Sequence, residues 1–316
     1  MAKVGYIHDD RFTQHNTGRG HPERADRLRA IQTRLQSTGL IERLTPLSFE
    51  SVTDEQILRV HTQEYLDRLA DACNQQLPFI DAPDSVICSI SDEIARLAAG
   101  GVCAAVDAVM TDDVQRAFCA VRPPGHHAER DRSMGFCLLN NVAIAAEQAL
   151  HEYRLPHVAI VDFDVHHGNG TQHSYERHDD VLFISIHQDP ATLYPGTGFS
   201  HEQGQGAGSG YTLNLPMPPG SSDADYREVF ERAVLPKLDA FCPHLLLISA
   251  GFDAAEPDPL ANINLTPDAF GWMTRQLCEI ANQYCNGRLV STLEGGYDLS
   301  SLAQCVEAHL LALLDD

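Results

Sequence analysis

Short, nearly continuous apolar runs alternate along this chain with stretches in which apolar residues recur every third or fourth position. The runs lie at 3–7, 116–121, 157–163, 181–186, 211–215, 244–249 and 288–293. Most hold apolar residues in succession, with little polar alternation, which predicts strands covered on both faces. Helical starts are readable between them. Ser91-Asp92-Glu93 puts acid in a first turn, Thr266-Pro267-Asp268 puts proline at the first helical position, and 222–225 opens a third helix. Positions 22–39 predict an amphipathic helix with Leu28, Ile31 and Leu35 turned inward and Gly39 as its stop. This alternation predicts an α/β fold: a single open, mainly parallel sheet with helices on both faces, spanning 1–316 as one domain.

Polar residues and glycines gather just after the carboxyl ends of these runs, at 122–127, 162–170, 187–189, 251–253 and 294–297. In open α/β sheets that edge is where ligands bind, so these loops are expected to converge on one crevice.

Composition narrows the partners. The formal net charge of −22 disfavours a phosphate backbone, so no nucleic-acid role is expected. Attraction for cationic substrates, such as lysine-rich peptides or polyamines, explains that charge no better than solubility does. No apolar run approaches membrane-spanning length, and the first ten residues contain no signal-like core, which predicts a cytoplasmic protein without a membrane partner. Nine cysteines, none in a CxxC pair, predict reduced, buried thiols and argue against a thiolate zinc site. The glycine-dense stretch 204–210 reads as a surface loop. It lacks the strand before and helix after that a nucleotide fingerprint needs.

Sixteen histidines include two tandem pairs, His126-His127 and His166-His167. Asp162, Asp164 and His166 occupy alternate positions leaving a run, and a period of two would aim all three to one side. That is costly without a cation, so the segment is either a metal site or a hydrogen-bonded Asp–His strand end. Asp253, after its own apolar run, is either a helix-capping aspartate or the third ligand of an Asp2His set, the layout of a catalytic metal with an open position. His126 and His127 follow Pro123-Pro124-Gly125, and imidazoles beside a metal suggest proton transfer. Tyr297 follows Glu294-Gly295-Gly296 and is either a packed tyrosine or an oxyanion donor.

The ordered blocks His21-Pro22-Glu23-Arg24, Pro123-Pro124-Gly125-His126-His127-Ala128, Gly135-Phe136-Cys137, Asp162-Phe163-Asp164-Val165-His166-His167-Gly168-Asn169-Gly170-Thr171, Ser249-Ala250-Gly251-Phe252-Asp253 and Glu294-Gly295-Gly296-Tyr297 resemble the histone deacetylase superfamily. They resemble its class II and bacterial branch more than class I, and they cover nearly the whole chain. The resemblance implies one deacetylase-like catalytic domain of the arginase/deacetylase fold. It implies a zinc-dependent hydrolase of amide bonds, acting on acyl-lysine proteins or peptides or on small acylated amines. Asp164, His166 and Asp253 are implied as ligands of one Zn2+, with Fe2+ or Co2+ as possible replacements. His127 is implied as the general base and His126 as its companion held by Asp162, with Tyr297 as the oxyanion donor. Gly135, Phe136, Tyr194 and Leu260 are implied along the substrate tunnel. Tyr194 departs from the phenylalanine common there. Asn169 stands where class I members carry aspartate, which should leave His127 less cationic.

Arg24 resembles an arginine lining an internal acetate channel, or else makes a helix-surface salt bridge. Structural K+ or Na+ is also implied, at one site by Asp162, Asp164, His166 and Ser185 and at another by the backbone at Tyr175, His178, Val181 and Tyr211. Alternatives are an acetylpolyamine deacetylase, an arginase-type two-manganese ureohydrolase, and a non-catalytic binding module. Leu260 in place of a carboxylate favours acyl-lysine, and Asp84 in a loop near the entrance opposes that reading. An oligomer is compatible with the sequence.

Overall fold

Continuous apolar runs become strands here because both faces of the sheet are covered by helices. The computed structural model describes residues 2–315. Among the described residues the strands are β1 (Val4–Ile7), β2 (Thr45–Pro46), β3 (Arg116–Cys119), β4 (Val158–Asp162), β5 (Val181–Gln188), β6 (Thr212–Met217), β7 (Leu245–Ala250) and β8 (Leu289–Leu293). They form one eight-stranded sheet in the order β2-β1-β3-β8-β7-β4-β5-β6. Every pairing is parallel, so the expected mainly parallel sheet is wholly so. Strands β3, β4, β5, β7 and β8 are buried at every position. The edge strand β6 is only partly covered.

Alternation along β3 shows how the helices are divided. The Phe118 ring packs edge-on to His309 of helix Leu299–Leu314. The next residue, Cys119, turns its Sγ toward the Gly101 carbonyl of helix Ser91–Met110. Successive strand residues point to opposite faces, so these helices lie on opposite sides of the sheet. Helices Asp26–Ser37 and Pro267–Tyr284 pack on Leu299–Leu314, while Asn141–Glu152 packs on Ser91–Met110.

Three local expectations change. The first amphipathic helix begins at Asp26, not Pro22, because Glu23 turns inward to bond Arg122 at 2.7 Å (Nη2 to Oε2); Gly39, at φ 70°, ends it as expected. Strand β2 carries no apolar run to reveal it, and Pro46, lacking a donor, is tolerated at the sheet edge. Of the cysteines, Cys88 is half-buried and Cys242 exposed; the rest are buried. No helix among the described residues is long and apolar enough to cross a membrane.

The chain runs from β3 to β4 and only later fills the space between them with β7 and β8. The carboxyl ends of β3, β8, β7 and β4 therefore stand side by side at the centre of the sheet. Each is followed by a loop that carries candidate chemistry.

Candidate active site

Glu294, at the end of β8, ties the loop after β3 in place. Its Oε2 accepts from Gly125 N at 2.6 Å and from His126 N at 3.2 Å. His126 thereby presents Nδ1 to Asp162 Oδ2 at 2.9 Å. Burial opposes charge on His126, but the Asp162 and Asp164 carboxylates outweigh it and push its pKa up to about 10.

Strand β4 ends at Asp162, so the period of two does not continue to His166. Asp162 turns to His126, and Asp164 and His166 meet Asp253 from the loop after β7. His166 Nδ1 lies 3.1 Å from Asp164 Oδ1 and 3.1 Å from Asp253 Oδ2. The Val165 amide donates to Asp253 Oδ1 and the Gly295 amide to Asp164 Oδ2, at 3.0 and 2.7 Å. No side chain fits at Gly295: a Cβ there would stand 2.0 Å from Asp253 Oδ2 and 2.6 Å from Asp164 Oδ2.

The donor set fits a divalent cation. Ligand atoms of Asp164, His166 and Asp253 lie within 4.8 Å of one another, all buried. Burial and the adjacent Asp164 charge push the Asp253 carboxyl upward. Burial opposes charge on His166, but hydrogen bonds and charge from both carboxylates outweigh it and push its pKa up to about 10. Positive charge is thus favoured between two buried carboxylates and an imidazole, and one metal ion would supply it.

His127 sits beside this cluster, its ring 5.9 Å from that of His166 and 4.0 Å from that of His126. Burial first, then the His126 and His166 charges, hold it well below the usual histidine range, so it is neutral. Its Nδ1 lies 2.7 Å from Asn169 Oδ1. Tyr297 packs edge-on to Phe136 at 5.9 Å, with the Arg27 guanidinium 5.0 Å from its ring. Burial raises its phenol well above the ordinary range, so it remains a donor.

A pocket of about 290 Å3 opens over these groups. His127, His166 and Tyr297 line it together with Gly135, Phe136, Leu193, Tyr194, Leu260 and Asp84. Gly135 (φ 54°) lets His127 and the Tyr194 side approach, since a Cβ there would lie 2.4 Å from His127 Cδ2. Asp84 Oδ2 accepts from Gly135 N at 3.2 Å, and its charge, after burial, raises the Tyr194 phenol.

Arg24 does not line an interior channel. Its side chain is 43% exposed and lies 3.6 Å from Asp26 at the surface, because the helix begins too late to turn it inward. The buried arginine beneath Tyr297 is Arg27, which donates to Gly296 O at 2.7 Å and also to Glu294 O. Its signal was present: it shares the inward stripe with Ile31 and Leu35. Sequence reasoning also passed over Glu294, Glu23 and Asp258, all inside or beside quoted segments. Asp258, raised to about 7 chiefly by burial, accepts from Tyr297 N at 2.6 Å and from Leu260 N at 3.0 Å.

The residues named for monovalent ions fall in two groups. Ser185 pairs in register with Asp162, and its Oγ bonds His187 Nδ1 at 2.8 Å. His178 N donates to Tyr175 O at 2.9 Å near the start of β5 at Val181, and Phe183 N donates to Tyr211 O at 2.9 Å.

A profile of the histone deacetylase domain matches residues 21–313. The chain belongs to the histone deacetylase family. It is 42% identical over 90% of its length to the "Histone deacetylase-like amidohydrolase" of Pseudomonas aeruginosa, covering 75% of that protein. It is 38% identical to the "Probable deacetylase" of Archaeoglobus fulgidus, over 98% of this chain and 86% of that one. The crystal structure of the HDA15 HD domain superposes with a TM-score of 0.93 at 38% identity, covering 99% of this chain and 90% of that one. The chain is thus an amidohydrolase of the histone deacetylase family, and its eight-stranded parallel sheet is the fold of that family.

Proposed function

We propose that this histone deacetylase-family amidohydrolase hydrolyses acyl groups, acetyl foremost, from lysine side chains of proteins or peptides, with one zinc ion held by Asp164, His166 and Asp253. The observation that carries the reading is the pocket itself. Its walls at Phe136, Tyr194, Leu193 and Leu260 suit a four-methylene stem, and its polar lining at His127, His166 and Tyr297 suits an amide. A bound divalent cation supplies Lewis-acid polarisation of the amide carbonyl and lowers the pKa of the attacking water.

The protein's own groups do the rest. Neutral His127, with Nδ1 engaged by Asn169, has Nε2 free to take a proton from water as it adds to the carbonyl carbon. The Tyr297 hydroxyl donates to the oxygen that becomes negative. His127 then returns its proton to the amine nitrogen as the C–N bond breaks, giving carboxylate and free amine. His126, held by Asp162, keeps its positive charge beside the developing negative charge. Fe2+ or Co2+ would serve the oxygen-rich ligand set as replacements. K+ or Na+ is proposed as structural at the two groups described.

A second reading, an acetylpolyamine deacetylase, draws support from Asp84 in the pocket wall, a carboxylate able to pair with a distant ammonium. The deciding experiment compares kcat/KM for acetyl-lysine peptides and for N-acetylated spermidine and putrescine, with Leu260→Glu alongside. Preference for the peptides, narrowed by Leu260→Glu, supports the lysine reading. A tenfold preference for acetylpolyamines by the native protein rejects it.

A further inference from the structure

Asn169, at the start of helix Asn169–Tyr175, can face His127 in two ways that differ by a flip of its amide. Only one gives His127 a useful base. The imidazole needs its proton on Nδ1, which requires an oxygen opposite. With the amide reversed, an NH2 group faces Nδ1 and drives the proton to Nε2, where it blocks proton abstraction.

The surroundings of the amide decide between the two. Asn169 Nδ2 lies 2.5 Å from Glu129 Oε1 and 3.2 Å from the His127 carbonyl oxygen. Both are acceptors, so the NH2 must face them and Oδ1 must face His127. The carbonyl contact is long, and the short contact belongs to the carboxylate. Glu129 is itself clamped: its two oxygens lie 3.0 and 2.9 Å from Nδ1 of His173, a partly exposed side chain. Burial raises the Glu129 carboxyl, but its bonds from His173 and Asn169 outweigh this and hold it below the usual range. Glu129 is thus an ionised, oriented acceptor one residue beyond the amide that touches the base.

We infer that Glu129 is a positioning residue which, through the Asn169 amide, fixes His127 as the tautomer protonated on Nδ1. The catalytic consequence rests on the reading of His127 as general base; the tautomer itself does not.

The direct test is a long-range 15N–1H NMR correlation spectrum of the zinc-loaded protein, with His127 assigned by its loss in His127→Ala. Native protein should show Nδ1 protonated and Nε2 unprotonated. In Glu129→Ala the opposite tautomer should become populated, kcat should fall about tenfold or more with KM within twofold, and Glu129→Gln, which keeps an acceptor, should lose less. Nδ1–H unchanged in a folded Glu129→Ala overturns the inference, whatever the activity. If the tautomer shifts while turnover holds, the inference stands and the general-base reading fails.

A double-mutant cycle adds a sign. Asn169→Asp brings two carboxylates together and should lose activity. In that background Glu129→Gln supplies an NH2 to the new carboxylate and should raise activity, although it lowers activity in the native background. An equal factor in both backgrounds means that Glu129 only supports the fold, and overturns the inference.

Discussion

Replacing Tyr297 by phenylalanine removes one oxygen and little else. The ring keeps its edge contact with Phe136 at 5.9 Å and its place against the Arg27 guanidinium at 5.0 Å. The backbone is pinned independently, because Asp258 Oδ2 accepts from Tyr297 N at 2.6 Å. The hydroxyl is a protonated donor with its pKa held high by burial, so it is not lost to ionisation across the working pH range. In the proposed role its bond strengthens only as the carbonyl oxygen gains charge, so the loss would fall on the transition state. Removing one such donor costs about 10²–10³ in kcat, or roughly 3–4 kcal/mol. Steady-state acetate release from an acetyl-lysine peptide should show that drop with KM changed less than about threefold. A kcat within threefold of native would falsify the role given to Tyr297. A large rise in KM with kcat preserved would make the hydroxyl a ground-state binding group.

Gly295→Ala pushes a methyl into the Asp253 and Asp164 carboxylates, so bound metal measured by elemental analysis should fall well below native while circular dichroism still reports a folded sheet. Arg24→Ala should change unfolding free energy by less than about 0.5 kcal/mol, as expected at an exposed ion pair. Arg27→Ala takes from buried Glu23 one of its two arginine partners, leaving Arg122, and strands two buried carbonyls, which should cost about 3–5 kcal/mol in denaturant titration. Burial raises the Glu23 carboxyl, but Arg122 and Arg27 outweigh this and bring it to about 2 from an unfolded value near 4.5. Ionised Glu23 therefore stabilises the fold above about pH 4.5, by about 3 kcal/mol, and that contribution drains as pH falls through 2. The stability gap between native and Glu23→Gln should narrow from pH 6 to pH 3. A gap that widens reverses the sign and removes the argument.

Much of the fold was legible because burial on both faces leaves a continuous apolar signal. Runs such as 181–186 and 244–249 correspond to β5 and β7 with ends shifted by one or two residues. Strand β2 left no signal, since two edge residues need no apolar pattern. The helix start at Asp26 was hidden because the sequence does not show that Glu23 is drawn into a buried ion pair with Arg122. Arg24 stands in a recognisable block and Arg27 lies outside it. The physical cue lay elsewhere, in a charged residue on the inward stripe with Ile31 and Leu35. Metal-ligand candidates were legible as residue types after strand ends. What could not be read was their support: Glu294 bridging two loops, Asp258 pinning Tyr297, and Glu129 clamped by His173. These depend on side chains distant in sequence meeting in space.

In the function proposed, one cation held by Asp164, His166 and Asp253 serves amide hydrolysis beside His127 and Tyr297. The most direct test is a titration of metal-stripped protein with Zn2+, following acetate release from an acetyl-lysine peptide against bound metal per chain. Activity should rise linearly and level off at one equivalent, and Asp253→Ala should neither bind that equivalent nor gain activity. A plateau at two equivalents, or full activity in metal-free protein, would rule out a single-cation site.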